Sequence, residues 1–264
     1  MAEIGLIGIG NMGLAIGKGL LKSYKKEDIV FTDKSKDLCK KVHTDTGLSY
    51  VESNQECAAQ AKYIVLAVKP QYLDSVIQEI KDGVTNEHVL ISIAPGITTT
   101  QLRDKFSKEV RVVRAMPNTP ALLGEGMTGV CYDEASFTPD EGRIIEQIFT
   151  SLGKMKLVEE RLMNGVVCVS GSSPAFVYLF IEALADSGVK YGLPRETAYE
   201  MAAQAVYGSA KMVMETGEHP GALKDKVCSP GGTTIAGVAA LEEYGFRNAI
   251  MKAADACFQK CENL

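Results

Sequence analysis

Two glycine-rich segments, more than two hundred residues apart, carry the chemistry legible in this sequence. The first is Gly8-Ile9-Gly10-Asn11-Met12-Gly13. It follows the apolar run Ile4–Ile9 and opens an amphipathic stretch, the setting a dinucleotide-binding turn requires. Gly8 permits the tight turn, Gly10 lets a pyrophosphate approach the backbone, and Gly13 allows helix and strand to pack closely. A helix starting there offers free N–H groups and its positive dipole end to phosphates. The second segment is Cys228-Ser229-Pro230-Gly231-Gly232-Thr233-Thr234, ahead of an apolar helix from Ile235 to Tyr244. Its backbone N–H groups suit a nest for a small carboxylate, and the hydroxyls of Ser229, Thr233 and Thr234 add donors and acceptors. An ordinary N-cap with a glycine turn fits the same residues.

Further candidates lie between these two. Asp33 stands 20 residues after Gly13, where an acid bonds the ribose hydroxyls of NAD. Lys34 follows it and is suited to a 2′-phosphate, so the pair points to opposite cofactors. Ala67-Val68-Lys69-Pro70 and Ile93-Ala94-Pro95-Gly96 end expected strands, where ligands bind in open α/β sheets. Asn54 opens a helix, as an N-cap or as a contact to the nucleotide ribose. In Met116-Pro117-Asn118-Thr119-Pro120, two prolines fix a loop and aim Asn118 and Thr119.

These residues need elements to position them. Short apolar runs at Glu3–Ile9, Asp28–Thr32, Tyr63–Val68, His88–Ala94 and Arg111–Met116 alternate with amphipathic stretches. The stretches are Met12–Ser23, Lys36–Thr44, Ser53–Ala59, Tyr72–Ile80 and Thr99–Phe106. Such alternation predicts βαβ units and a mostly parallel sheet, its strands apolar throughout because both faces are covered. Gly126–Tyr132 and Lys154–Val158 are further strand candidates, flanking a helix at Pro139–Leu152. From about Arg161 the alternation gives way to helical runs, with Phe176, Phe180, Ala183 and Ser187 on one stripe. A second helix, about Arg195–Met214, aligns Ala198, Ala202, Ala205 and Met212 and is apolar on other faces too. A helix apolar most of the way round is buried. About a hundred residues offer little room to bury it, so packing against a second chain is expected, with a compact monomeric domain as the alternative. His219-Pro220 reads as a connecting loop.

Composition removes several classes of function. The 264 residues carry a formal net charge of −5, which gives no general attraction to nucleic acid or anionic membranes. No secretory signal is read at the N-terminus, and no stretch is read as approaching the roughly 20 apolar residues of a bilayer span. Seven scattered cysteines fit a reduced cytoplasmic chain, with no metal site expected from Cys257 and Cys261. The three histidines stand near neither a nucleophile nor each other. A hydroxy-acid dehydrogenase usually needs such a base, whereas a protonated imine needs chiefly alignment with a nicotinamide and a hold on its carboxylate. Thr234 is placed to accept a hydrogen bond from the imine nitrogen.

Both glycine segments resemble those of pyrroline-5-carboxylate reductase. So do Ala67–Pro70, Met116–Pro120, Val169-Ser170-Gly171-Ser172-Ser173-Pro174-Ala175-Phe176 and Gly217–Asp225, in order along nearly the whole chain. The resemblance implies an α/β Rossmann-like domain at 1–160 with a mostly parallel sheet. An all-α dimerisation and substrate-binding domain follows at 161–264. It implies hydride transfer from NADP(H), with NAD(H) as the alternative, to 1-pyrroline-5-carboxylate, giving L-proline in the last step of proline biosynthesis. It further implies a homodimer through the C-terminal helices, able to assemble further. Carried over by position, Ile7, Gly8, Ile9, Gly10, Asn11, Met12, Asp33, Asn54, Ala67, Val68, Lys69, Pro70, Ile93, Ala94 and Pro95 line the cofactor. Lys34 and Asn118 join that set as candidates. Ser229, Gly231, Gly232, Thr233 and Thr234 hold the substrate. A β-hydroxyacid dehydrogenase resembles the N-terminal half but needs a lysine on the first interdomain helix, and none lies between Arg161 and Val189. A non-catalytic NAD(P)-sensing protein is the other alternative.

Overall fold

The structure, a computed structural model, describes residues 2–106 and 109–263. The chain forms two compact units, Met1–Ser172 with Cys257–Leu264, and Ser173–Ala256. The strands of the first unit are β1 (Ala2–Ile7), β2 (Ile29–Thr32), β3 (Ser49–Tyr50), β4 (Ala61–Leu66), β5 (Val89–Ser92), β6 (Arg111–Met116), β7 (Gly126–Cys131) and β8 (Gly153–Leu157). They form one sheet in the order β3-β2-β1-β4-β5-β6-β7-β8. Its helices are α1 (Asn11–Leu20), α2 (Lys36–Thr46), α3 (Asn54–Gln60), α4 (Pro70–Ile80), α5 (Thr99–Arg103), α6 (Pro139–Thr150) and α7 (Met163–Val166). Pairing is parallel except between β6 and β7. There the connection, residues 117–125, is too short for a crossover helix, and so the next strand returns antiparallel.

Alternation along the strands divides the core between the sheet's two faces. Ile4, Leu6, Tyr63 and Val65 belong to one apolar cluster, and Ile7, Ile64 and Leu66 to the other. This double coverage is why these strands read as unbroken apolar runs. β3 was not among the expected strands. Only Ser49 and Tyr50 pair, at the edge beside Val30 and Phe31, and two residues leave no period to read.

In the second unit, α8 (Ser173–Lys190) and α9 (Arg195–Thr216) pack through small residues, Ala185 against Ala198 and Ala202. A Cβ on Gly188 would stand 3.3 Å from that of Ala198, so the close approach depends on residue size. α10 (Pro220–Val227), α11 (Thr233–Glu243) and α12 (Phe246–Glu262) follow. α10 corrects the expectation of a loop at His219-Pro220. His219 caps the helix, its Nδ1 accepting from the Gly221 N–H at 3.0 Å, and Pro220 fits the first turn, where its missing N–H costs nothing.

A second correction concerns the helical run Glu160–Lys190. Its 31 residues are long and apolar enough, by length and composition, to cross a membrane. The glycines and serines around Ser170 hid this, yet Glu182 and Asp186 are the only charges between Arg161 and Lys190. Tyr178, Leu179, Met201, Tyr207 and Met251 of the second unit are more than half exposed. That leaves an apolar surface of the kind that marks an interaction site.

Candidate active site

Three glycines shape the turn after β1, each by a different constraint. Gly8 adopts φ +96°, donates its N–H to the Thr32 carbonyl at 2.9 Å, and would carry a Cβ only 2.7 Å from the Ala67 carbonyl oxygen. A Cβ on Gly13 would lie 2.1 Å from the Gly8 carbonyl oxygen. Gly10, by contrast, faces open space, with nothing within 4 Å of its would-be Cβ. It is also the N-cap of α1 and brings no side chain to the helix's first N–H groups. The helices α2, α3, α5 and α6 are closed by Ser35, Ser53, Thr98 and Thr138. The donors of α1 are thus left for a ligand, with open room in front of them for a pyrophosphate.

A cleft of about 520 Å³ lies here, lined by Ile7, Gly8, Gly10, Asp33, Lys34, Asn54, Ala67, Val68 and Lys69 among the candidates. Asp33 Oδ2 accepts from the Ile9 N–H at 2.8 Å and its Oδ1 from the Ser35 N–H at 2.9 Å. Lys34 Nζ stands 4.2 Å from the centroid of the Tyr72 ring. Ser53 is the cap of α3, which leaves Asn54 as the first helical residue, its Nδ2 donating to Glu79 Oε2 at 2.8 Å.

Other candidates lie around the cleft or away from it. Ile9 is buried outside the cleft lining, its N–H donated to Asp33, while Asn11 and Met12 form the first turn of α1. Pro70 and Pro95 line a second hollow of about 630 Å³ with the ion pair Lys105–Asp74. Ala94 is buried beside it in sequence, and Ile93 is half-buried. Asn118 is not part of the cleft lining. Its Nδ2 donates to the Ser170 carbonyl at 3.0 Å and its Oδ1 accepts from the Met127 N–H at 2.9 Å, so both ends of the amide tie the chain together. The sequence reading missed Tyr72, Ser75, Val76 and Glu79, which line the cleft from α4. Their spacing of three, four and seven is one helical stripe, and the proline that opens α4 sets its phase.

In the second unit, Ser229 to Gly232 form a tight turn. The Gly232 N–H donates to the Ser229 carbonyl at 3.0 Å and Gly231 has φ +69°, as at the third position of a type II turn with proline second. A Cβ on Gly232 would overlap Ser229 Oγ at 2.3 Å. Gly232 is the N-cap of α11 and, like Gly10, supplies no capping side chain. Thr233 and Thr234 occupy the first turn, Thr234 half-buried.

A mostly parallel sheet with a glycine turn, an anion-ready helix end and a cleft at its strand ends defines a dinucleotide-binding fold. Residues 3–96 match the profile described as NADP oxidoreductase, coenzyme F420-dependent, and residues 160–264 match pyrroline-5-carboxylate reductase dimerisation. The pyrroline-5-carboxylate reductase of Escherichia coli (strain K12) is 48% identical over 99% of this chain and 98% of that protein. The one from Arabidopsis thaliana is 37% identical, covering 99% and 95%. Among solved structures, that of the Coxiella burnetii enzyme superposes with a TM-score of 0.91 at 34% identity, covering 99% and 98%. That of the Plasmodium falciparum enzyme, with NADP bound, gives 0.89 at 35%, covering 99% and 97%. The chain belongs to the pyrroline-5-carboxylate reductases, NAD(P)H-dependent oxidoreductases of proline biosynthesis, and not to the β-hydroxyacid dehydrogenases.

Proposed function

We propose that the chain transfers hydride from NADPH, or from NADH as the alternative donor, to the C=N bond of 1-pyrroline-5-carboxylate, giving L-proline. The observation that carries this reading is the pair of bare glycine N-caps, Gly10 and Gly232, each at the start of a helix that keeps its first N–H groups for an anion. The first suits a pyrophosphate and the second a carboxylate.

When bound, the dihydronicotinamide supplies the hydride. The chain's own part is to bind and to orient. Ile7 to Met12, Asp33, Lys34, Asn54, Ala67 to Pro70 and Ile93 to Pro95 hold the cofactor; Asn118 belongs to the same proposed set, acting through its loop. Ser229, Gly231, Gly232 and Thr233 hold the substrate carboxylate. The Thr234 hydroxyl accepts a hydrogen bond from the protonated ring nitrogen. That nitrogen already carries its proton, so hydride addition to carbon completes the reduction without a side-chain acid. Residues 1–160 form the cofactor domain and 161–264 the dimerisation and substrate domain. The exposed apolar residues of the second unit support a homodimer, from which a higher oligomer can assemble. Seven scattered cysteines, an odd number, support a cytoplasmic location. Nucleic acid and membrane are not partners in this reading.

The test is oxidation of NADPH and of NADH with 1-pyrroline-5-carboxylate. Turnover with at least one supports the reading, and none with either overturns it. Thr234→Ala is expected to lower kcat/KM for the imine while leaving cofactor affinity in place. Wild-type kinetics in that variant would remove Thr234 from the role given to it.

A further inference from the structure

We propose that Glu160 is a positioning residue for the reaction: backed by Arg114, its carboxylate holds the loop between β5 and α5, and with it the nicotinamide end of the cofactor site. This rests on the reading above that Ile93 to Pro95 hold the cofactor.

Strand order decides which end of the cofactor that loop serves. The cleft of Gly8, Asp33 and Lys34 lies at the ends of β1 and β2. β5 stands on the other side of β1, beyond β4. A dinucleotide with its pyrophosphate at the glycine turn and its adenosine ribose by the acid after β2 extends its nicotinamide half towards β4 and β5.

The loop is fastened at both ends by buried polar groups. At its start, Ser92 Oγ accepts from the Ala94 N–H at 3.3 Å. At its end, Thr98 caps α5, and the next residue, Thr99, is bound by a side chain 61 residues further on. Glu160 Oε1 accepts from the Thr99 N–H at 2.6 Å, and Oε2 accepts from the Thr99 hydroxyl at 2.7 Å. Arg103 Nη2 donates to the same hydroxyl at 3.2 Å. Arg114 stands on β6 opposite Ser92, its guanidinium 3.6 Å from Glu160 Oε1. Ser92, Thr99 and Arg114 are all buried. Among the described residues, Glu160 is the one carboxylate within ion-pairing distance of Arg114. Apolar packing in place of a buried ion pair is commonly as stable, so what the pair adds is a fixed geometry. Glu160 also opens the helical run Glu160–Lys190, so the tether joins the cofactor loop to the start of that run.

Two measurements on the full-length protein test this. One is calorimetric binding of the dinucleotide the wild type holds more tightly, NADPH or NADH, against its adenosine half, 2′,5′-ADP or 5′-AMP. The other is kcat/KM for that dinucleotide. Glu160→Gln is expected to weaken the whole dinucleotide about tenfold, the effect of one charge-assisted hydrogen bond, and to leave the adenosine half in place. That variant strands the Arg114 charge, so Thr99→Val, which keeps both charges and removes the hydroxyl, gives a second arm with the same expected selectivity. Thr99→Ser restores the hydroxyl and is expected to behave as the wild type. Equal losses for the whole dinucleotide and its half would make the tether merely structural and overturn the proposal. So would wild-type affinities in both Glu160→Gln and Thr99→Val, or a Thr99→Ser no better than Thr99→Val. A wild type that binds the dinucleotide but reduces no imine leaves the inference standing and ends the proposed reaction. A wild type that binds neither dinucleotide overturns the cofactor reading and the inference with it.

Discussion

Alanine at two positions of the glycine turn separates folding from ligand binding. At Gly10 the backbone has φ −64° and ψ −165°, a conformation alanine adopts without strain, and no atom lies within 4 Å of the new methyl. Gly10→Ala is therefore expected to leave stability unchanged or to raise it by about 0.4–1 kcal/mol through the reduced entropy of the unfolded chain. The methyl instead stands in front of the first N–H groups of α1. Holding a pyrophosphate off those donors is expected to weaken NADPH binding at least tenfold, or about 1.4 kcal/mol. At Gly13 the methyl would lie 2.1 Å from the Gly8 carbonyl oxygen, more than 1 Å inside contact. Gly8 is pinned by its own bond to Thr32, so α1 must move away from β1. Overpacking of this kind costs about 1–3 kcal/mol, which for a chain of this size is several degrees in Tm. Thermal melts without cofactor, at fixed protein concentration because the assembly is coupled to folding, give the stability arm. Fluorescence titration with NADPH gives the binding arm. Wild-type affinity in Gly10→Ala, or a destabilisation there equal to that of Gly13→Ala, would refute the assignment of these two glycines.

Other predictions concern the scaffold and the loop that holds Asn118. Burial raises the pKa of Glu141, but hydrogen bonds from Lys62, Thr138 and Arg111 outweigh it and hold the carboxyl at about 2, below an ordinary 4.5. The sign follows: its contribution is full above about pH 4.5 and is lost as pH falls towards 2, amounting to about 2–3 kcal/mol after allowing for the half-exposed Lys62. Denaturant melts of Glu141→Gln should converge on the wild type as pH drops through that window, and parallel curves would count against it. Asn118→Ala removes two hydrogen bonds from a buried amide and is expected to cost about 1–3 kcal/mol per partner left unsatisfied, and a residue that acts on the cofactor through its loop loses NADPH affinity only together with Tm. A raised cofactor KM with an unchanged Tm would instead favour direct contact with the cofactor.

What could be read in the sequence depended on whether a constraint was local. The βαβ alternation and the three glycines were legible because period and spacing impose them. Gly8, Gly10 and Gly13 meet the constraints read from their spacing: a positive φ, open space, and contact too close for a Cβ. The position of Asp33 was legible too, but not its bonding, because its partner Ile9 is 24 residues away and that contact needs β1 and β2 side by side. Tyr72 and Glu79 were readable in principle as one stripe of α4, yet nothing in their types marked them until the cleft showed which face was turned to it. The apolar length of Glu160–Lys190 was not legible as an unbroken run because Gly165, Ser170, Gly171, Ser172 and Ser173 interrupt it, although only Glu182 and Asp186 are charged between Arg161 and Lys190.

The choice of helix caps gives a sharper criterion than either glycine segment alone. A serine or threonine at an N-cap satisfies one of the helix's orphan donors, and replacing it by glycine costs only a few tenths of a kcal/mol. Stability therefore exerts little pressure in either direction, and what the position must leave open becomes the stronger constraint. In this chain Ser35, Ser53, Thr98 and Thr138 close α2, α3, α5 and α6. Glycine stands at α1 and α11, the two helices that follow the glycine segments. A glycine in a turn is explained by backbone geometry, as at Gly8 and Gly231, whose φ values are positive. Gly10 and Gly232 have φ −64° and −79°, which serine adopts equally well. Space accounts for Gly232, where a Cβ would strike Ser229 Oγ, but not for Gly10, where nothing is near. The role proposed for Gly10, a pyrophosphate that comes closer to the backbone than a side chain allows, fits that open space.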